Sequence, residues 1–138
     1  MESNGVTMAP NARQKGTFMK IAVPSETNAG LMAQRSGHFG HCAYFTIVTI
    51  EDGEIKEVTT VKNVDHDEYG CGGIIDYVMT LDVDAILTAG MGRPPLTRFT
   101  AAGITVYAET ESPLVGQVIK RFIDGEVFQM SPDAACAH

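Results

Sequence analysis

The segment Tyr44–Val61, YFTIVTIEDGEIKEVTTV, restricts the fold more than any other part of the sequence. Two runs rich in β-branched residues, 44–50 and 55–61, flank an Asp-Gly pair, an arrangement typical of a β-hairpin. N-terminal to the hairpin, the apolar run Lys20–Pro24 predicts a buried strand that ends at a proline. The folded region is therefore expected to begin with three strands.

Helices and strands alternate in the second half of the sequence. Apolar spacing over Ile74–Leu81 predicts a helix, and a short strand is expected over Ala85–Leu87. A glycine turn followed by prolines opens the next helix, which ends at Gly103 before a strand over Ile104–Tyr107. The last helix has Ser112 as its predicted N-cap and a continuous apolar face. The pattern predicts an α/β domain with five strands.

Composition excludes several classes of protein. With 138 residues, of which 44% are hydrophobic, the chain is long enough for one domain with a substantial core. Its formal net charge of −7, without a local basic cluster, opposes binding to nucleic acid. The N-terminal stretch has neither a signal-peptide core nor an apolar membrane span, so a soluble cytoplasmic protein is expected.

The expected organisation is a single domain over residues 19–130. Residues 1–18 are polar and aperiodic and are predicted to be a flexible extension, and residues 131–138 a flexible tail. The three cysteines, Cys42, Cys71 and Cys136, are not expected to form permanent disulfides in a reducing compartment. Their thiols are therefore available for other chemistry.

Residues with metal-binding chemistry are predicted to converge at one edge of the sheet. Because crossover connections are right-handed, the first, fourth and fifth strands should be parallel, so that their carboxyl ends share an edge. Ligands of open α/β sheets bind at that edge. The residues expected there are His38, His41, Cys42, His66, Cys71, Met91 and Arg93.

Two predicted helix starts at this edge favour an anion. The helices are expected to begin at Cys71-Gly72-Gly73 and at Gly90-Met91-Gly92, where backbone N–H groups and the positive end of the helix dipole are exposed. Glycines at such positions, with Gly40 in the preceding loop, let a bulky anion approach the backbone. Thiolate, thioether and imidazole groups suit zinc, copper(I) or iron–sulfur species. An anionic metal–sulfur cluster would use both features.

Each candidate residue also has a structural interpretation. His38 is the first candidate ligand, with a loop-ordering histidine as the alternative. His41 and Cys42 are adjacent at the entry to a strand, so they should face opposite sides, and Cys42 is equally consistent with a buried apolar role. Cys71 is either a thiolate activated by a helix N-terminus or a residue of a tight turn.

The remaining candidates carry weaker signals. Met91 more often fills space than binds metal, and His66 stands among acidic residues that would oppose an anionic cluster. Cys136 and His138 form a CxH pair in the expected flexible tail.

The ordered segments SGHFGHCAYF, YGCGGIIDYV and AILTAGMGRPPLTRFTAAGITVY resemble the dinitrogenase iron-molybdenum cofactor biosynthesis family, which includes NifX-type proteins and the C-terminal domain of NifB-type proteins. The resemblance implies a ribonuclease-H-like fold with a five-stranded mixed sheet of order 3-2-1-4-5. It also implies non-catalytic binding, carriage or assembly of a metal–sulfur cofactor. The shared family histidine corresponds to His38, and the family glycine turn to Gly90, Met91 and Gly92.

Three other functions remain open on the sequence. A metal- or redox-responsive protein that binds a partner would use the same ligands. A simple zinc site on His38, Cys71 and a water would bind zinc without sulfide. A ribonuclease-H-like hydrolase needs clustered carboxylates, but the first strand contributes none, and Asp82 and Asp84 flank the start of the fourth strand.

Overall fold

The computed structural model describes residues 18–37, 39, 42–64 and 66–131, and of residues 66–72 it describes the backbone alone. The strands are β1 (Phe18–Ser25), β2 (Tyr44–Glu51), β3 (Glu54–Lys62), β4 (Ala85–Thr88), β5 (Thr105–Ala108) and β6 (Phe128–Gln129). The helices are α1 (His66–Met79), α2 (Arg93–Ala101) and α3 (Val115–Ile123), with a 3₁₀ turn at Gly30–Met32.

The strands form one mixed sheet of order β3-β2-β1-β4-β5-β6. β1 is antiparallel to β2 and parallel to β4, and β4 is parallel to β5. The five predicted strands are present in the predicted order, but the prediction of a five-stranded sheet is wrong. Gly125, at φ 79°, reverses the chain after α3, and Phe128 and Gln129 then pair antiparallel with β5. A strand of two exposed residues has no alternating apolar pattern by which the sequence could reveal it.

The predicted hairpin is confirmed. β2 and β3 pair antiparallel over their whole length around Asp52 and Gly53, which have φ values of 57° and 80°. Two consecutive residues with positive φ match the right-handed twist of the flanking strands, and Asp-Gly is a favoured pair for that turn.

Apolar side chains cover both faces of the sheet, giving three layers. One core cluster joins strand residues such as Ala22 and Ile86 to side chains of α1 and α2, including Ile74 and Phe99. The other joins the alternate strand residues to the apolar face of α3, which includes the fully buried Phe122. Because successive side chains of β1 and β4 point to opposite faces of the sheet, each of these strands contributes residues to both core clusters.

Two helix starts differ from those predicted. α1 begins at His66, eight residues before Ile74, because packing of its C-terminal half outweighs the low helix propensity of the glycines in its first half. α3 begins after Leu114, whose N–H donates to Gln117 Oε1 at 3.3 Å. Ser112, the predicted N-cap, instead donates from Oγ to Glu109 Oε2 at 2.9 Å.

Candidate functional site

The carboxyl ends of the parallel strands β1, β4 and β5 share one edge of the sheet. The long connection 26–43, the turn 89–92 and the turn 109–114 all leave from this edge. β2 starts there and β3 ends there, since Tyr44 is paired with both Ser25 and Lys62. The topology therefore brings together the segments that contain the predicted site residues.

Several of those residues fall outside the detailed description. Five of them lie outside the described part of the chain: His38, Gly40, His41, Cys136 and His138. For three others, the backbone but not the side chain is described, and these are His66, Cys71 and Gly72. Their proposed roles as ligands stay predictions.

Cys71 does not lie at a helix N-terminus, contrary to the prediction. It is the sixth residue of α1, which begins at His66. The effect of a helix dipole is confined to about the first turn. Cys71 and Gly72 therefore lie beyond the part of α1 in which the positive helix end and free backbone N–H groups act.

Residues buried at every third position hold the loop between β1 and β2. Ser36, Phe39 and Cys42 are 2%, 7% and 4% exposed. The Phe39 ring lies 5.7 Å from the Phe45 ring and 5.5 Å from the Phe99 ring, measured between centroids. Phe39 thus ties the histidine-containing loop to the core. This role was not predicted from the sequence, where the signal for it is an apolar residue amid glycines and histidines.

Cys42 is a buried, neutral thiol. Its Sγ donates to the Phe39 carbonyl oxygen at 3.3 Å, and Asn63 Nδ2 donates to the Cys42 carbonyl oxygen at 2.9 Å. Burial is the main cause that raises the pKa of Cys42 to about 12. Metal ligation requires a thiolate, so this geometry favours the buried apolar interpretation of Cys42 over the ligand interpretation.

The Gly90-Met91-Gly92 turn lies directly before α2, as predicted. The hydroxyl of the buried Thr88 donates to the Gly90 carbonyl oxygen at 3.1 Å and so fixes the turn. A Cβ added at Gly90 would meet no atom within 4 Å, so there is open space beside this backbone. Met91 is half-buried and packs against the core shared by α1 and α2.

The start of α2 offers fewer backbone donors than the prediction assumed. Gly92 is the N-cap, and the second and third helical residues, Pro94 and Pro95, have no N–H. The N–H of Leu96 donates to the Gly92 carbonyl oxygen at 3.2 Å. Of the first three helical residues only Arg93 has a backbone N–H, so the electrostatic contribution of this end comes mainly from the helix dipole.

A buried charged cluster at the end of β5 was not found from the sequence. Glu109 follows β5 directly, and its side chain is 2% exposed. Arg35 Nη2 lies 3.3 Å from Glu109 Oε1, and Arg121 Nε lies 3.1 Å from Glu109 Oε2. A glutamate immediately after a buried strand was the only sequence signal, and its two cationic partners are 74 and 12 positions away.

The described side chains show no preformed metal site. Within 18–37, 39, 42–64 and 73–131, no group of three or more His, Cys, Asp or Glu residues could hold a metal ion. Asp84 precedes β4 at the opposite edge, where its Oδ2 accepts the Lys20 N–H at 2.9 Å. In the described part of the chain, no helix is both long and apolar enough to cross a bilayer.

Comparison with known proteins agrees with the resemblance found in the sequence. The family model described as dinitrogenase iron-molybdenum cofactor matches residues 19–125. A Methanocaldococcus jannaschii protein, MJ0580, is 34% identical over 116 residues, which are 82% of this chain and 92% of that protein.

Solved structures show the same fold. The apo form of the orange protein from Desulfovibrio gigas matches with a TM-score of 0.70 and 26% identity, over 81% of this chain and 92% of that one. The protein PH0822 matches with a TM-score of 0.68 and 30% identity, over 81% of this chain and 96% of that one. From the family match over 19–125, the chain belongs to the dinitrogenase iron-molybdenum cofactor family.

Proposed function

We propose that this protein binds and carries an anionic metal–sulfur cofactor, of the iron-molybdenum type or a related iron, molybdenum or copper sulfide cluster. The observation that carries the proposal is the meeting of two segments at one sheet edge: the loop 26–43 and the Gly90-Met91-Gly92 turn. The family match supports the class of cargo. The protein acts as a non-catalytic cytoplasmic accessory on a ribonuclease-H-like scaffold, and it exchanges the cluster with assembly proteins.

The proposed binding surface is open and has a positive helix end. Open space beside Gly90 lets a bulky cluster reach the backbone of the turn. The N-terminus of α2, which carries Arg93, favours a negative charge there in a protein whose net charge is −7. A cluster at this position would be attracted locally even though the protein as a whole repels anions.

His38 is the proposed first ligand, and Cys71 the proposed second. His41 is a further candidate, whereas the neutral buried thiol makes Cys42 the weakest of the four. Glycine backbone at Gly40, Gly90 and Gly92, with the Met91 side chain, would form the rest of the contact surface, whereas Gly72 lies inside α1 and offers no free backbone donor there.

Anaerobic reconstitution tests this function. Protein incubated with ferrous iron, molybdate and sulfide is expected to retain metal and acid-labile sulfide after desalting. The His38→Ala variant is expected to bind at least about 10- to 100-fold more weakly, since removing even a residue that only supports a metal ligand has an effect of that size. Metal and sulfide analysis of the desalted protein, with a titration followed by absorption, gives both results.

The His66→Ala variant is the matched control, since it removes the same side chain outside the proposed ligand set. Equal losses in the two variants would contradict a specific role of His38. If wild-type protein retained neither metal nor sulfide under any ratio of the components, the carrier function would be wrong. Stoichiometric zinc without sulfide would identify the simple zinc site instead.

Gly90→Ala separates a binding role of this glycine from a structural one. Because the added methyl group would meet no protein atom within 4 Å and Gly90 has no positive φ, the free energy of unfolding is expected to change by less than about 1 kcal/mol. The same methyl group occupies the space proposed for the cluster, so cluster affinity is expected to fall about tenfold, or about 1.4 kcal/mol.

Denaturant unfolding and the same cluster titration measure the two quantities on one preparation. Unchanged cluster affinity in Gly90→Ala would remove the glycine turn from the proposed site.

A further inference from the structure

Arg35 connects the histidine-containing loop to the end of another strand. It lies three residues before His38, and its side chain is 7% exposed. Its Nη1 donates to the backbone carbonyl oxygen of Glu109, and its Nη2 lies 3.3 Å from the Glu109 carboxylate. One planar guanidinium therefore contacts both the main chain and the side chain of the residue that ends β5.

The carboxylate of Glu109 is fixed from several sides. Ser112 donates to it twice, from the backbone N–H at 3.2 Å and from Oγ at 2.9 Å. Arg121 of α3 forms the second ion pair, at 3.1 Å from Oε2. Glu109 thus joins the loop after β1, the turn after β5 and the helix α3 through one buried side chain.

Backbone hydrogen bonds of Arg35 and Ser36 hold the same part of the loop. The Arg35 N–H donates to the Pro113 carbonyl oxygen at 2.7 Å, and the Ser36 N–H donates to the Pro24 carbonyl oxygen at 2.9 Å. Further along the loop, the buried ring of Phe39 is the next described attachment to the core. The loop is therefore held before His38 by Arg35 and after it by Phe39.

We propose that Arg35 is a positioning residue, which holds at the sheet edge the part of the loop 26–43 that leads to His38, through one contact with the Glu109 carbonyl oxygen and one with its carboxylate. The role rests on the proposed function, because the cluster is what the positioned loop would bind. A buried guanidinium needs its partner, since an unpaired charge in this position is strongly unfavourable. Lysine would keep the charge but could not donate in two directions from a rigid planar group.

Hydrogen exchange of the apo protein tests the positioning directly. In Arg35→Met, backbone amides of 37–43 are expected to exchange at least tenfold faster, whereas amides of β2 should be little changed. Arg35→Lys, which keeps a cation facing Glu109 and guards against failure of the first variant to fold, is expected to give an intermediate increase. Arg98→Met, which removes an exposed pair of 2.6 Å with Asp76, is the control and should leave the loop unchanged.

The second readout is affinity for the cluster formed from ferrous iron, molybdate and sulfide, expected to fall about tenfold in Arg35→Met and less in Arg35→Lys. Loop exchange identical to wild type in the folded variants would overturn the positioning role, whatever the affinity. Faster loop exchange with undiminished cluster affinity would overturn it as well. If wild-type protein bound no cluster, the proposed function would fail separately, while the exchange experiment would still decide whether Arg35 holds the loop.

Discussion

Replacing Phe39 with alanine is expected to lower the free energy of unfolding by about 3–5 kcal/mol, the usual cost of truncating a buried phenylalanine. Phe39 is 7% exposed although it lies in a loop, and its ring contacts Phe45 of β2 and Phe99 of α2. The loss combines the hydrophobic free energy no longer gained by burying the ring with the cost of the cavity left between the sheet and α2. Urea unfolding followed by circular dichroism measures it.

The control for this prediction is Phe128→Ala, in which the same side chain is removed from a position that is 77% exposed. Its effect is expected to stay within about 0.5 kcal/mol. A loss below about 1 kcal/mol in Phe39→Ala would show that the loop collapses onto the core without the ring. That result would contradict the anchoring role of Phe39.

Cys42 is expected to react with iodoacetamide about a thousandfold more slowly in the folded protein than in the unfolded chain at pH 8. Burial raises the pKa of this thiol from 9.0 to about 12, and the thiolate is the reactive form. Three pKa units lower the thiolate fraction by about a factor of a thousand at that pH. Limited access to the buried sulfur adds to the effect.

Peptide-resolved mass spectrometry measures this rate separately for Cys42, Cys71 and Cys136, in buffer and in denaturant at the same pH. The unfolded chain is the internal control, because it presents the same peptide with an ordinary thiol. Alkylation of Cys42 in the folded protein within tenfold of the unfolded rate would contradict a neutral buried thiol. It would also restore Cys42 as a candidate ligand.

Sequence patterns predicted those parts of the fold in which the signal is local. The Asp-Gly pair between two β-branched runs sufficed for the β2-β3 hairpin, and short apolar runs sufficed for the other principal strands. The right-handed crossover rule then placed the ends of β1, β4 and β5 on one edge. The location of the candidate site followed from these local signals, and the ordered motifs identified the family.

Contacts between residues distant in the sequence determine the start of α1 and the burial of Cys42, which local patterns did not predict. Glycines before Ile74 read locally as a turn, but α1 extends back to His66, because helix packing outweighs propensity. Burial at Cys42 depends on the approach of Phe39 and Asn63, which no spacing rule encodes.

At the candidate site, too, local sequence patterns predict some features and contacts between distant residues determine the others. By itself, the sequence determined the family, whose resemblance implies the order of the five principal strands, and the shared edge of the parallel strands, which follows from patterns along the chain. Only the tertiary structure decided that Arg35, Glu109 and Arg121 form one buried cluster, and that Phe39 enters the core. Burial and charge pairing are properties of three-dimensional neighbours, so they appear only once the chain is folded.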